Sequence, residues 1–318
     1  MTRKTLFAML MLCPLLAWGE VSITISDGIE NQTIKQKMEH TMSALLTEIN
    51  NAQAQGRALS FKGLDVPESV QLSLSMLWEN SPFLCTDEVI VERGLTTGTG
   101  FQVRNIPLEM KPRDAKFNEE EYQEAVISFD KKGVLESFYL SLNMNLYMQV
   151  VRGNKEITDL RRRQLILDYV EQFRTSYNTK DINFLEQVFS DDALIITGKV
   201  IKQTKNDIKL PDKIVYKKQS KQEYINNLRR VFANNSYIKV TFDEIKVMRH
   251  PVNPNFYGVT LHQGYTASRY HDDGYLFLLW DFSDEEHPKI HVRTWQPDQL
   301  NGTRMPEDEI FNVNDFEI

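Results

Sequence analysis

Cysteine is nearly absent from these 318 residues, occurring only as Cys13 and Cys85. Cys13 lies in the first nineteen residues, and without that segment Cys85 stands alone. No internal disulfide can then form, so the fold rests on its core. Cys85 follows Pro82-Phe83-Leu84, which predicts a buried apolar thiol rather than a nucleophile. Beyond residue 19 no segment is apolar enough to span a bilayer. Positive charge is also short: 37 Lys and Arg stand against 44 Asp and Glu, a formal charge of −7. Loss of Arg3 and Lys4 with the first nineteen residues makes it −9. Binding a phosphate backbone needs an excess of cations on one face, so nucleic acid is excluded as a general partner. There is no glycine-rich phosphate loop, no Gly-x-Ser-x-Gly elbow and no Cys-x-x-Cys pair.

What is present begins with a leader. Arg3-Lys4 gives a positive start, residues 6–16 an apolar stretch, and Ala17-Trp18-Gly19 a small-x-small site, the pattern of a signal peptide cleaved before Glu20. The apolar run is shorter than the ~20 residues a spanning helix needs. Leu12 precedes Cys13 where a lipoprotein signal needs a small residue, so a secreted or periplasmic chain without a lipid anchor is expected. Hydrophobic residues at 41% and charged residues at 25% are ordinary globular values, and the length suits two domains.

Hydrophobic periodicity marks the elements. Ile34, Met38, Met42, Leu45, Leu46, Ile49 and Ala52 form one stripe of a long helix that Gly56 ends. Leu59-Ser60-Phe61 reads as a short strand, and Pro67 opens a helix over residues 68–78. Strands are expected over 88–93 and 100–110, then a hairpin of 125–129 and 134–142 turning at Asp130-Lys131-Lys132-Gly133. Gly153-Asn154-Lys155 reads as a boundary. Thr158 or Asp159 then caps a helix with Ile166, Tyr169, Val170, Phe173 and Tyr177 on its apolar face. Asp181 caps a shorter helix that buries Phe184, Leu185, Val188 and Phe189. Ser190-Asp191-Asp192 is expected to turn, and 193–197 to continue as a strand. After a lysine-rich stretch, Ser220 and Glu223 form a capping box that starts a helix through Tyr224, Ile225, Leu228, Val231 and Phe232. Four strands follow, over 237–248, 256–265, 275–282 and 289–295. A polar tail closes the chain, and its Ile310, Phe311, Phe316 and Ile318 imply that it docks.

The order helix, helix, strand, helix and four antiparallel strands, together with Tyr177-Asn178-Thr179-Lys180-Asp181, Leu185, Phe189-Ser190-Asp191-Asp192-Ala193 and Lys289-Ile290, resembles the nuclear transport factor 2-like superfamily, which includes the SnoaL-like and ketosteroid isomerase-like proteins. The resemblance implies an α+β protein whose C-terminal domain is a cone, with helices packed inside a curved antiparallel sheet. The expected organisation is a signal peptide over 1–19, an N-terminal domain of helices and antiparallel sheet over 20–155, the cone over 156–298 and a tail over 299–318. The N-terminal, cystatin-like order of helix then sheet is that of a shortened, diverged copy. Such a fold hosts enzymes, adaptors and ligand-binding modules alike, so function must come from the site.

Isomerase chemistry of the ketosteroid type needs a carboxylate base, and a tyrosine with a protonated acid to hold the enolate oxygen. Carried onto this chain, the base position falls on Thr197, the tyrosine on Phe173 and the second acid on Leu278. None can serve, so the resemblance implies a non-catalytic member that binds a small ligand or a protein partner. In the last strand Ile290, Val292 and Thr294 are expected on one face and His291, Arg293 and Trp295 on the other, with His262, Tyr265, Trp280 and Asp281 nearby. With Phe173 these residues are the candidate pocket or interface, and the same face also fits an ordinary half-exposed sheet. An alternative is an enzyme in which His291, Arg293, Asp281 and His262 converge. Another is a structural adaptor that dimerises through its sheet. No histidine pair has helical i, i+4 spacing, and His271-Asp272-Asp273-Gly274 reads as a solvent turn, so no metal or cofactor is expected. Between Lys199 and Lys218 seven lysines and two aspartates give a local charge of +5, either a solvated extension of the sheet or a contact for an anionic partner. Asn31-Gln32-Thr33, Asn234-Asn235-Ser236 and Asn301-Gly302-Thr303 fit glycan acceptors, a motif short enough to recur by chance.

Overall fold

The computed structural model describes residues 19–113, 121–142, 144–153, 160–205 and 208–316. Residues 1–18 of the expected leader, and the expected caps Thr158 and Asp159, lie outside them. The N-terminal unit comprises β1 (Ser22–Ile25), α1 (Gln32–Gln55), α2 (Glu68–Asn80), β2 (Phe83–Cys85), β3 (Val89–Glu92), β4 (Gly94–Thr96), β5 (Gly100–Met110), β6 (Glu121–Asp130) and β7 (Leu135–Leu140). The Asn31 side chain caps α1 by accepting from the N–H groups of Thr33 and Ile34, and Gly56 closes it at φ 61°. Strands β2, β5, β6 and β7 pair in that order, with β4 beside β5, and β1 pairs with β3 alone. Gly133 takes the left-handed conformation at φ 70° in the β6–β7 turn, where the Asp130 carboxylate accepts from the N–H groups of Lys132 and Val134. Leu59-Ser60-Phe61 is not a strand, because the Glu48 carboxylate takes the Ser60 N–H at 2.7 Å while Leu59 and Phe61 cover the core.

The C-terminal unit comprises α3 (Met144–Gly153), α4 (Leu160–Asn178), α5 (Ile182–Val188), β8 (Phe189–Lys205), β9 (Ile208–Gln219), α6 (Lys221–Asn234), β10 (Ile238–Arg249), β11 (Phe256–Ala267), β12 (Tyr270–Asp281) and β13 (Lys289–Pro297). Its six strands lie in the order β10-β11-β12-β13-β8-β9, antiparallel except where β13 meets β8. Helices enclosed by this sheet give the nuclear transport factor 2-like arrangement, and the protein is α+β. Asp181 caps α5 and the capping box starts α6 as expected. The core of the N-terminal unit is built from hydrophobic residues up to Leu140, and the core inside the cone from residues between Leu142 and Ile290. Tyr147 and Val150 of α3 are buried in the core inside the cone. Asn154 and Lys155 lie outside the described residues.

Three local expectations are corrected. Ser190-Asp191-Asp192 lies within β8 as an irregularity rather than as a turn before it: Phe189 pairs with Ile290 and Leu194 with Val292, and Asp191 is tied to Lys221 at 2.7 Å. His271-Asp272-Asp273-Gly274 is not a solvent turn. Ala267 pairs with Tyr270, so the chain reverses at Ser268-Arg269 and those four residues lie within β12. The alternation expected for β13 breaks at His291. Leu279 pairs with Val292 and Trp280 with Ile290, which leaves His291 as a bulge.

The outer sheet face is covered by the tail, where Val313, Phe311 and Phe316 pack on Phe256, Phe277, Leu279 and Val292. A dimer through this face would have to displace them. The two units are joined along α4. Its apolar side enters the cone, while Glu171, buried completely, receives Arg104 through two hydrogen bonds of 2.6 and 3.0 Å. Glu171 also accepts from the Leu142 N–H at 2.6 Å, and Arg104 lies 4.0 Å above the Tyr147 ring. A second bulge aims that arginine: Val103 pairs with Ile127 but Ile106 with Ala125, and Asn105 between them has φ 61°. Arg174 to Ser141, Thr175 to Leu140, and Asn80 to both backbone groups of Ile238 complete the seam.

Glu171→Ala leaves Arg104 buried without its counter-charge and is expected to cost about 3–5 kcal/mol. Replacing both by apolar residues (R104M with E171L) is expected to restore most of that, as measured by denaturant unfolding. On β11, a side chain at Gly258 would meet Val313 and Phe277 at 2.8 Å. Gly258→Val is therefore expected to lift the tail and open residues 299–316 to limited proteolysis.

Candidate ligand cleft at the domain junction

The cone is filled by its own side chains. Phe173 and Trp280 are buried, with ring centroids 6.4 Å apart, and Phe173 also meets Tyr177 and Phe189 at 5.1 and 6.2 Å. Trp280 stacks on Phe282. Arg293, also buried, lies 4.9 Å from the Tyr224 ring centroid, and the Tyr177 and Tyr224 hydroxyls meet at 2.5 Å. Tyr265 packs at the edge of this core beside Tyr270. Trp295, half-buried, pairs with Thr197 of β8 and lies against Gly274.

The remaining sequence candidates lie elsewhere, because the β13 bulge separates neighbours. His291 rests against Phe256 on the tail side, 3.7 Å from Asp281, whereas Arg293 points into the cone. Asp281 itself accepts from the N–H and hydroxyl of Ser283. His262 bonds Asp243 at 2.6 Å and lies edge-on to Tyr275, beside a hollow of about 960 Å³ bordered by Arg304 and Phe311. His291 and Asp281 thus lie together, while Arg293 and His262 each lie in separate surroundings. No group of three or more His, Cys, Asp or Glu side chains among the described residues is placed to hold a metal. No described helix is long and apolar enough to cross a membrane.

Where the start of α4 meets the N-terminal sheet, two adjoining clefts of about 320 and 610 Å³ share Thr97, Gly98, Thr99, Gln102, Lys131, Leu165, Asp168, Glu285 and Glu286. Both units contribute walls. Arg161 and Arg162 hold Glu285 at 2.6 and 2.7 Å, and the Tyr169 hydroxyl donates to the Glu286 carbonyl, so α4 fastens the 283–288 loop in place. At the cleft floor Asp168 Oδ1 accepts from Gln102 Nε2 at 2.7 Å and from the Tyr139 hydroxyl. Its Oδ2 has a longer contact of 3.4 Å to Gln172. Burial, then the Glu171 charge, push the Asp168 carboxyl up to about 7, although Gln102 and Arg104 favour its ionised form. Near neutrality Oδ2 can therefore either donate or accept a hydrogen bond.

Asp168, Gln102, Tyr139, Arg104 and Glu171 were not singled out in the sequence. A faint signal existed: Glu171, Arg174, Thr175 and Asn178 recur at helical spacing along the side of α4 away from its apolar stripe, a pattern that also describes a solvated face.

No protein-family model matches the chain, and no curated protein matches it. Among solved structures, a nuclear transport factor 2-like protein from Cytophaga hutchinsonii is similar at 13% identity and a TM-score of 0.33, over 43% of this chain and 98% of that one. A chain of naphthalene 1,2-dioxygenase is similar at 10% identity and a TM-score of 0.36, over 52% and 93%. A protein from Bdellovibrio bacteriovorus is similar at 12% identity and a TM-score of 0.34, over 64% and 78%.

Folded Asp168 keeps its proton to higher pH than an unfolded aspartate does, so the native state binds more protons over that interval. Its contribution is most favourable below about pH 4 and is lost as pH rises through about 7. Asp168→Asn is expected to remove this decline. Urea midpoints of both proteins, compared from about pH 4 to about pH 8, should converge at the acid end and separate in favour of the variant at the alkaline end.

Proposed function

We propose that this chain is an exported binding protein in which the cone serves as a rigid scaffold and a small polar ligand sits in the cleft between the units. The carrying observation is that the cone interior is packed with aromatic side chains while the junction holds a walled cleft around a carboxyl that titrates near neutrality. Thr97, Thr99, Gln102 and Asp168 suit a ligand with both hydrogen-bond donors and acceptors. Export rests on the leader pattern of residues 1–19.

A second reading is favoured by the same carboxyl. With Gln102 and Tyr139 holding Oδ1, Asp168 Oδ2 is placed to exchange a proton with a bound molecule, which makes the cleft a seat for general acid–base chemistry. In that case turnover would follow a titration near neutrality and vanish in D168N, whereas a binding protein would keep ligand affinity without turnover.

Thr99 is exposed and lines both clefts, so Thr99→Trp narrows them without entering either core. Ligand-observed NMR with a panel of small amides, amines and carboxylic acids should give hits on the chain from Glu20 that T99W weakens. Hits unchanged in T99W would place the ligand elsewhere and refute the cleft.

A further inference from the structure

The lysine-rich stretch is a two-stranded ribbon rather than a loop. Strand β8 pairs with β13 as far as Thr197 and continues to Lys205 with β9 along one edge. The eight residues beyond Thr197 run on for about 25 Å at the usual rise of a strand. The Asn301 side chain braces the ribbon by bonding both backbone groups of Asp212, and Tyr216 meets Phe311 edge-on at 5.4 Å.

The ribbon carries two kinds of exposed side chain. Lys199, Lys202, Lys213, Lys217 and Lys218 are exposed. Val200, Ile201, Val215 and Tyr216 are also exposed, by 36–43%. Pairing interleaves them: Lys199 stands opposite Val215, Ile201 opposite Lys213, and Val200 opposite Ile214. The other open edge of β9 has no partner strand among the described residues.

We propose that this ribbon docks on an anionic lipid bilayer. Lys199, Lys213 and Lys217 share one face of the ribbon with Ile201 and Val215; a soluble polyanion would engage these lysines and leave the two large apolar side chains in water, whereas the headgroup and acyl boundary accepts both cations and apolar groups. The acidic body does not cancel the attraction, because the ribbon reaches over two to three Debye lengths of about 8–10 Å. Each lysine held near such a surface raises partition by about fivefold.

The test uses the chain from Glu20, which contains every described element of the fold, with sedimentation on vesicles of phosphatidylglycerol mixed into phosphatidylcholine and on phosphatidylcholine alone. Binding is expected only to the anionic vesicles and should fall steeply with salt. Lys199→Glu, Lys213→Glu and Lys217→Glu combined should lower partition by at least about a hundredfold. Ile201→Ser with Val215→Ser should weaken vesicle binding while leaving retention on immobilised heparin unchanged, which separates a bilayer from a polyanionic glycan. Circular dichroism confirms that each variant is folded, and the milder K199Q with K213Q serves if the triple variant is not. Equal sedimentation on both vesicle types, no sedimentation on either, or heparin retention without vesicle binding would overturn the proposal.

Discussion

The buried pair of Arg104 and Glu171 is the constraint on which the rest of the molecule depends. A guanidinium and a carboxylate taken out of water are each costly, and their attraction repays that cost only when geometry is good and the remaining bonding sites are filled. Here the two groups meet in two bonds, the Leu142 N–H supplies another donor and Tyr147 lies under the cation, while Arg104 Nε is buried without a hydrogen-bond partner. Neither partner can leave without stranding the other, so the sheet of the N-terminal unit is held against α4 at a fixed height. Every other polar contact along the seam assumes that height, including the ring of Gln102, Tyr139 and Asp168.

The same constraint accounts for the position of the candidate cleft. Helix α4 carries two faces with opposite demands: the apolar one fills the cone through Phe173 and Tyr177, and the polar one faces β5 and β7. Glu171 adds its charge to the burial that keeps Asp168 protonated, while Arg104 works against it. One ion pair thus joins the two units and also tunes a carboxyl one helical turn away. Aromatic side chains pack the cone interior, and the clefts lie where α4 meets the N-terminal sheet.

Two bulges mark where strand periodicity stops being a guide. In β5 the bulge at Arg104 and Asn105 lets Gln102 and Arg104 face α4 while Ile106, Leu108 and Met110 turn into the N-terminal core. In β13 the bulge at His291 puts that ring with Phe256 and leaves Arg293 inside the cone. A period of two, read along either strand, assigns those charged residues to the wrong neighbours. An inserted residue leaves no compositional trace; it is chosen because the partner strand and the helix beyond it pack better with the shift.

Several features were legible in the residues because their causes are local. The caps at Asp181 and Ser220, the glycine turn at Gly133, the apolar stripes of α1 and α4, and the long strand over Gly100–Met110 follow from backbone hydrogen bonding and side-chain spacing within a few positions. The element order of the cone follows from these. What only the tertiary structure decided is which side chains meet. The pairing of Arg104 with Glu171, separated by 67 positions, the filling of the cone, the tail lying over the outer sheet face and the carboxyl of Asp168 held near neutrality all depend on contacts between distant segments. Local propensity cannot specify these, because their energies arise from burial and electric field, and both exist only after the chain has closed on itself.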